Sequence, residues 1–295
     1  MRRARANGTL TARISVYPQI AEWRSVAESL RVNGPGDDWL RVAGVKGFVD
    51  GSLGSTTAWF DAPYNDAPGT TGLTVTNLDS LRAWMWSADS AGLQLAIHAI
   101  GDRANAWLLD AYDSLARTAG ARDRRPRIEH AQHLRAADIP RFAALGVIPS
   151  MQPYHAIDDG RWAEKRLGAE RITTTYAFRS LLEAGAPLAF GSDAPVAFLN
   201  PLLGVHAALT RATLDGKHPG GWVAAEKVTL DQALRAYTAA NAYATFRDGI
   251  TGVLRPGMQA DIVVLDRDLA GIPAEAIPDA QVLATLVAGR VVYRR

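Results

Sequence analysis

The chain has 295 residues, of which 48% are hydrophobic and 21% are charged, and its formal net charge is only +2. This composition is typical of a globular protein with a sizeable core and excludes an intrinsically disordered chain. The absence of cysteine excludes disulfides and thiolate zinc sites and fits a reducing compartment. No apolar run is long enough to cross a bilayer and no signal peptide opens the chain, so we expect a cytoplasmic protein with no membrane partner.

Basic residues are dense in one segment only, which contains Arg122, Arg124, Arg125 and Arg127. No aromatic residues are interleaved with these arginines, which is typical of a solvated loop before a strand and not of a nucleic-acid surface. We therefore expect no nucleic-acid partner.

Short apolar strands alternate with helical patterns along most of the chain, and this alternation indicates a parallel sheet covered by helices. The predicted helices are Leu78–Ala91 with Asn77 as its N-cap, Arg103–Ala119, Arg135–Leu145, Thr175–Ala184 and Leu230–Ala240. The predicted strands are Arg13–Tyr17, Val42–Val49, Leu93–Ala99, Arg127–His130, Val147–Met151 and Pro187–Gly191.

Two α/β architectures compete for this pattern, an open doubly wound sheet and a (β/α)₈ barrel. No Gly-x-Gly-x-x-Gly follows the first strand, which disfavours the dinucleotide-binding sheet. Polar residues follow the carboxyl ends of successive strands, where a barrel builds its active site. A closed barrel needs eight strands and only six are found. We therefore expect an α/β fold with a partial TIM-type barrel, about strands 3 to 8, and two further strands upstream.

The pattern changes to β structure after Thr238. The expected strands are Ile262–Leu265, Leu283–Val287 and Arg290–Tyr293, and Ala288-Gly289 forms a tight hairpin between the last two. We expect residues 1–247 to form the barrel domain and residues 248–295 to form a small C-terminal β-sandwich portion.

Four polar residues lie on or after strands where a barrel has its rim: Lys46, His98, His130 and Asp193. Imidazole and carboxylate groups are the ligands that divalent zinc, iron or manganese prefer. Each residue alone has a structural explanation, because a lone histidine commonly packs with a hydrogen bond, Asp193 can cap a helix, and a strand lysine is usually exposed. Several such residues at one rim favour a single metal site.

Several segments in the same order resemble the amidohydrolase superfamily, and more narrowly its family-3 branch, which includes N-substituted formamide deformylases and exoenzyme-regulator-like proteins. These segments are VKGFVDGSLGSTTAWFDAPY, IHAIGDRAN, RIEHAQ, SMQPYHA, FGSDAPV and GVLRPGMQADIVVLD. The resemblance covers nearly the whole chain. It implies a metal-dependent hydrolase that cleaves a non-peptide C–N bond of a small-molecule amide through a metal-activated water, with a homodimer as one expected assembly.

The resemblance also implies roles for individual residues. His98 and His130 would bind a divalent metal, most often zinc, and Asp193 would bind it and act as the general base. Lys46, carboxylated by CO₂, would bridge two metals. His155 would contact the substrate, and Asp50, on the same segment as Lys46, would be the competing residue that faces the site. The resemblance leaves four residues without a chemical role, which are Glu129, His133, His206 and His218.

One departure from the family pattern concerns the metal. The family opens with a His-x-His pair that holds the more buried metal, whereas the first histidine here is His98. The chain is therefore expected to be the C-terminal portion of a family member. Two hypotheses of function follow, a metal-dependent hydrolase and an inactive fragment with a binding or regulatory role.

The geometry of the site is also predicted. The polar atoms of His98, His130 and Asp193 should lie within roughly 8 Å of a common point, because parallel strand ends meet and metal–ligand bonds are short. Lys46 should point into the barrel mouth. Asp50 lies about 13 Å further along an extended strand, so at most one of these two residues can be level with His98.

Overall fold

The computed structural model describes residues 1–295. The strands are β1 (Ile14–Val16), β2 (Leu40–Val42), β3 (Gly44–Phe48), β4 (Gln94–Ala99), β5 (Arg127–His130), β6 (Ile148–Met151), β7 (Ala189–Phe190), β8 (Ile262–Leu265), β9 (Val282–Val287) and β10 (Arg290–Arg294). The helices are α1 (Arg2–Ala6), α2 (Trp23–Asn33), α3 (Leu78–Ser90), α4 (Asp102–Thr118), α5 (Ile139–Ala144), α6 (Pro153–Asp159), α7 (Ala163–Arg171), α8 (Phe178–Glu183), α9 (Pro201–Thr210), α10 (Leu230–Tyr237) and α11 (Ala239–Ala244).

Five parallel strands form the central sheet in the order β3-β4-β5-β6-β7. The spatial order follows the chain order without reversal, as in a barrel and unlike a doubly wound sheet. β7 pairs with β6 alone, so the sheet is open. The predicted α/β fold with a partial TIM-type barrel is therefore confirmed.

The first two predicted strands differ in detail from the expectation. β1 pairs in parallel with β2 in a separate two-stranded sheet, and the predicted strand Val42–Val49 is divided at Ala43. The segment after β1 still runs beside β3, because the Lys46 N–H donates to the Pro18 carbonyl at 2.7 Å. Pro18 has no N–H to donate in return, so a regular ladder cannot continue through it. Six chain segments thus lie side by side, but five share one hydrogen-bonded sheet.

Local sequence explains where the helices begin and break. Asn77 caps α3, because its side-chain oxygen accepts the Ser80 N–H at 3.0 Å. The predicted helix Arg135–Leu145 is shorter and consists of a 3₁₀ turn followed by α5, whose first turn contains Pro140. No helix combines the length and apolar composition needed to cross a membrane.

The core lies between the sheet and its covering helices and includes a cluster of 50 buried residues. On β3, side chains alternate between the two faces of the sheet. Gly47 faces the helices so closely that a Cβ there would lie 2.9 Å from Ile97 Cδ1. Lys46 and Phe48 face the opposite side, which is the interior of the partial barrel. Strand alternation thus directs Lys46 away from the outer helices.

The C-terminal strands form an antiparallel sheet in the order β10-β9-β8, close to the predicted bounds. Arg13 ties this sheet to the N-terminal part of the chain, because its guanidinium donates to both carboxylate oxygens of Asp261 at 2.6 and 3.1 Å.

Candidate metal centre

The candidate site residues lie at one edge of the sheet, where the carboxyl ends of the parallel strands meet. His98 is near the end of β4 and His130 is the last residue of β5. His155 lies on α6, directly after β6, and Asp193 follows β7. Because all the strands are parallel, these residues come together at the rim, as the barrel interpretation requires.

Three of these residues form a group with the geometry of a metal site. Ligand atoms of His130, His155 and Asp193 all lie within 4.8 Å of one another. The rings of His130 and His155 are nearly parallel, with centroids 6.3 Å apart. The Nε2 atom of His155 is shielded from solvent and has no hydrogen-bond partner. A buried ring nitrogen without a partner is costly unless something binds it, so the donor set fits a divalent metal.

Backbone conformation at this group is unusual. His130 and Asp193 adopt positive φ angles of 77° and 57°. Residues other than glycine rarely occupy this region, which costs about 1–3 kcal/mol per residue and is enriched at functional sites. The fold therefore holds both side chains in positions that local preference alone would not select.

A neighbouring amide fixes the tautomer of His130. Gln152 Nε2 donates to the Ser150 carbonyl at 3.1 Å, so Gln152 Oε1 faces His130 Nδ1 at 2.7 Å as an acceptor. Nδ1 then carries the proton and Nε2 keeps its lone pair for a ligand. Burial lowers the pKa of His130 to about 3, and the positive charges of Lys46 and of His98 in its protonated form act in the same direction. The ring is therefore neutral at physiological pH, as a metal ligand must be.

His98 is the opposite tautomer of His130, with its proton on Nε2. Its Nε2 lies 2.9 Å from the Gly51 carbonyl and donates to it, which leaves Nδ1 with the lone pair. Its ring meets the ring of His130 edge-on, with centroids 4.5 Å apart. Burial lowers the pKa of His98 to about 4, and the positive charge of Lys46 contributes in the same direction. His98 thus lies beside the group that contains His130 and offers a second neutral imidazole.

The register of β3 and β4 places Phe48 level with His98 and pairs Lys46 with Ala96. Lys46 and Asp50 therefore lie two residues to either side of Phe48, and neither of them is level with His98.

The environments of Lys46 and Asp50 differ. Lys46 lines a cavity of about 1140 Å³ together with His130 and Asp193, and burial lowers its pKa to about 8. Asp50 is fully buried and accepts three backbone N–H bonds, from Trp59, Ile100 and Gly101. Burial raises the pKa of Asp50 to about 7, and the three donors act in the opposite direction. The cavity side is thus open to Lys46, while Asp50 is engaged by the backbone.

Several residues without an expected chemical role have structural partners. Glu129 pairs with Arg127 at 2.7 Å in the barrel interior. The Nδ1 atom of His133 lies 2.9 Å from Thr175 Oγ1, and that of His206 lies 3.0 Å from the Ala274 carbonyl.

Sequence reasoning overlooked Gln152 and the proximity of His155 to His130. No helix is predicted in the segment SMQPYHA, although Pro153 at the first helical position is a recognised helix-start signal.

Comparison with known proteins identifies the family. The profile described as the amidohydrolase family matches residues 1–293. The chain belongs to the amidohydrolase family. This family member is 44% identical to the protein LONG AFTER FAR-RED 3 of Arabidopsis thaliana over 257 residues, which are 87% of this chain and 44% of that protein. It is 33% identical to an N-substituted formamide deformylase of Arthrobacter pascens over 211 residues, which are 70% of this chain and 38% of the deformylase.

A solved structure agrees with this assignment. The crystal structure of an uncharacterized metal-dependent hydrolase from Pyrococcus horikoshii superposes with a TM-score of 0.81 at 32% identity, and the match covers 93% of this chain and 54% of that one. The amidohydrolase chain thus spans about half the length, or less, of the curated relatives it matches. The resemblance stated from the sequence motifs is confirmed.

Proposed function

We propose that this protein is a metal-dependent hydrolase that cleaves non-peptide C–N bonds of small-molecule amides. The observation that supports the proposal most directly is the convergence of His130, His155 and Asp193 within 4.8 Å, with a buried and unpaired nitrogen on His155. Zinc is the proposed metal, because two imidazoles and a carboxylate form a donor set that zinc prefers. In this proposal His155 is a ligand and not only a substrate contact.

The proposed chemistry assigns a role to each residue. A bound divalent ion polarises the amide carbonyl and lowers the pKa of water. His130 and His98 stay neutral and keep lone pairs available for binding. Asp193, which is exposed at the mouth, accepts the proton of the attacking water and passes it to the leaving nitrogen. Lys46, whose pKa burial lowers to about 8, is the proposed carboxylated bridge if a second metal binds.

Metal binding is the first test. Zinc affinity would be measured by calorimetry on chelator-treated protein, with His130→Ala and Asp193→Asn as site variants and His206→Ala as the matched control. We expect both site variants to bind at least about 10-fold more weakly, because even outer-shell partners of a metal contribute 10–100-fold. The control should bind like the parent. A parent that does not bind zinc, or site variants that bind as tightly as the parent, would refute the proposal.

Hydrolysis is the second test. N-substituted formamides are the first substrates to try, because one relative is an N-substituted formamide deformylase. Release of amine by the zinc-loaded protein, lost in Asp193→Asn, is the expected result.

The second candidate function is an inactive protein with a binding or regulatory role. In this role the group of His130, His155 and Asp193 would hold a metal without catalysing hydrolysis. Zinc binding without amine release from any formamide would support this role. Cytoplasmic location and a homodimeric state remain part of the proposal, and fractionation and light scattering would test them.

A further inference from the structure

No hydrogen bond orients the ring of His155. Its Nε2 has no partner, and its ring only stacks over that of His130. The position of this imidazole therefore depends on where α6 lies, and α6 has only seven residues. A helix this short is not stable by itself, so other contacts must hold it in place.

Asp159 supplies such a contact from the same helix. It lies one turn after His155, at the i+4 position, and so occupies the same face of α6. Its Oδ2 atom accepts two hydrogen bonds of 2.7 Å, one from Gln132 Nε2 and one from the Tyr176 hydroxyl. Gln132 is two residues after His130. One carboxylate oxygen thus joins the helix that carries His155 to the segment that carries His130.

The partners of Asp159 are themselves anchored. Gln132 Nε2 lies 3.0 Å from His133 Nε2, so the amide donates to both Asp159 and His133. The backbone carbonyl of Gln132 accepts the backbone N–H of Tyr176 at 2.7 Å. Tyr176 is fully buried and packs edge-on against Trp222. The three side chains of Gln132, Asp159 and Tyr176, here named the buried junction, therefore cannot move independently of the core.

We infer that the buried junction is a positioning device that holds His155 against His130, an inference that rests on the proposed function of this pair as metal ligands. None of its three side chains belongs to the group of His130, His155 and Asp193, so the junction acts through the placement of α6. Outer-shell partners that orient metal ligands typically change metal affinity 10–100-fold. A contact that merely stabilised the fold would lower thermal stability and leave the two imidazoles in place.

Three variants and one control separate these roles. Tyr176→Phe removes one donor without changing the packed volume, and Asp159→Ala removes the acceptor. Asp159→Asn keeps one oxygen, which can accept both bonds as Oδ2 does, and serves as the conservative rescue. Tyr64→Phe is the matched control, because Tyr64 is equally buried and its hydroxyl donates to the Ala58 carbonyl and not to the junction.

Zinc affinity of the whole chain, measured by calorimetry, is the first readout. We expect Tyr176→Phe to bind zinc about 10-fold more weakly and Asp159→Ala up to about 100-fold more weakly. Asp159→Asn and Tyr64→Phe should bind like the parent. Equal affinities in all variants would overturn the inference, and so would a loss in Tyr64→Phe as large as that in Tyr176→Phe.

A crystal structure of the metal-free Asp159→Ala variant is the second readout and needs no metal. A His155 ring displaced from its stack over His130 supports the inference, whereas a ring retained there overturns it. If Asp159→Ala does not fold, the structure of Tyr176→Phe decides in the same way. Should the parent fail to bind zinc, the proposed function is wrong, and this second readout still decides whether the junction positions His155.

Discussion

His133 illustrates how burial ties one residue to the pH dependence of stability. Burial lowers its pKa to about 3, with the charge of Arg171 acting in the same direction, whereas an unfolded histidine has a pKa near 6.5. Between about pH 3 and pH 6.5, His133 therefore binds a proton in the unfolded chain but not in the folded chain. Its contribution to stability is fully present above about pH 6.5 and is lost progressively as the pH falls towards 3.

We predict that the free energy of unfolding of the parent falls more steeply below pH 6.5 than that of His133→Gln, by about 1.4 kcal/mol per pH unit. Urea denaturation at pH values between 7.5 and 4.5 measures both slopes. Parallel slopes for the two proteins would show that His133 is not held neutral in the folded state.

Asp50 permits a second prediction at the residue scale. Its two oxygens accept three backbone N–H bonds, so an amide at this position must turn its NH₂ group towards at least one donor. We expect Asp50→Asn to lower the free energy of unfolding by about 2 kcal/mol, because a buried unsatisfied donor costs about 1–3 kcal/mol. Asp102→Asn is the control, because the Asp61 N–H that Asp102 Oδ1 accepts at 2.9 Å can be kept by an amide oxygen. Equal losses in the two variants would contradict this account.

At the scale of elements, Gly44 fixes how closely β3 approaches β4. A Cβ at this position would lie 2.2 Å from the Gln94 carbonyl oxygen. We predict that Gly44→Ala lowers the free energy of unfolding by about 3 kcal/mol, because overpacking against backbone forces the strands apart. Gly69→Ala, where a Cβ meets nothing within 4 Å, should cost far less. Chemical denaturation of both variants measures the difference, and similar losses would show that strand spacing is not set at Gly44.

The elements also show what the sequence can and cannot predict. The strands β4, β6 and β7 were predicted because each is a short, largely apolar run, and apolar runs are visible locally. α6 was not predicted, because it has seven residues and no long apolar stripe. Since His155 lies on α6, its distance from His130 could not be predicted either. Contacts such as that of Gln152 with His130 depend on strand register, and a shift by two residues leaves the alternation of side chains between the two faces unchanged.

At the scale of the whole molecule, the open sheet and the cavity belong together. β3 and β7 are the two edge strands of the central sheet and do not pair with each other. A cavity lies between the barrel interior and the C-terminal sheet, and its lining includes Lys46 of the barrel and Ile262 of the C-terminal sheet. The partial barrel was predictable because counting strands needs only the sequence. The position of the C-terminal sheet was not, since it depends on contacts between residues far apart in the chain.

The ion pair of Arg13 and Asp261 is the clearest of these long-range contacts, because the two residues are 248 positions apart in the chain. Their side chains form two hydrogen bonds and are mostly shielded from solvent. We predict that a double-mutant cycle with Arg13→Met and Asp261→Asn gives a coupling energy of about 1–2 kcal/mol, above the roughly 0.2–1 kcal/mol of exposed pairs. Urea denaturation of the four proteins measures the coupling. Arg235 and Asp231, an exposed pair within α10, provide the matched control cycle and should couple by less than about 0.5 kcal/mol. Additive effects of Arg13→Met and Asp261→Asn on the free energy of unfolding would show that this pair does not hold the C-terminal sheet to the N-terminal part. The apolar contacts of Leu269, Ile277 and Ala280 with the main core would then hold the sheet in place.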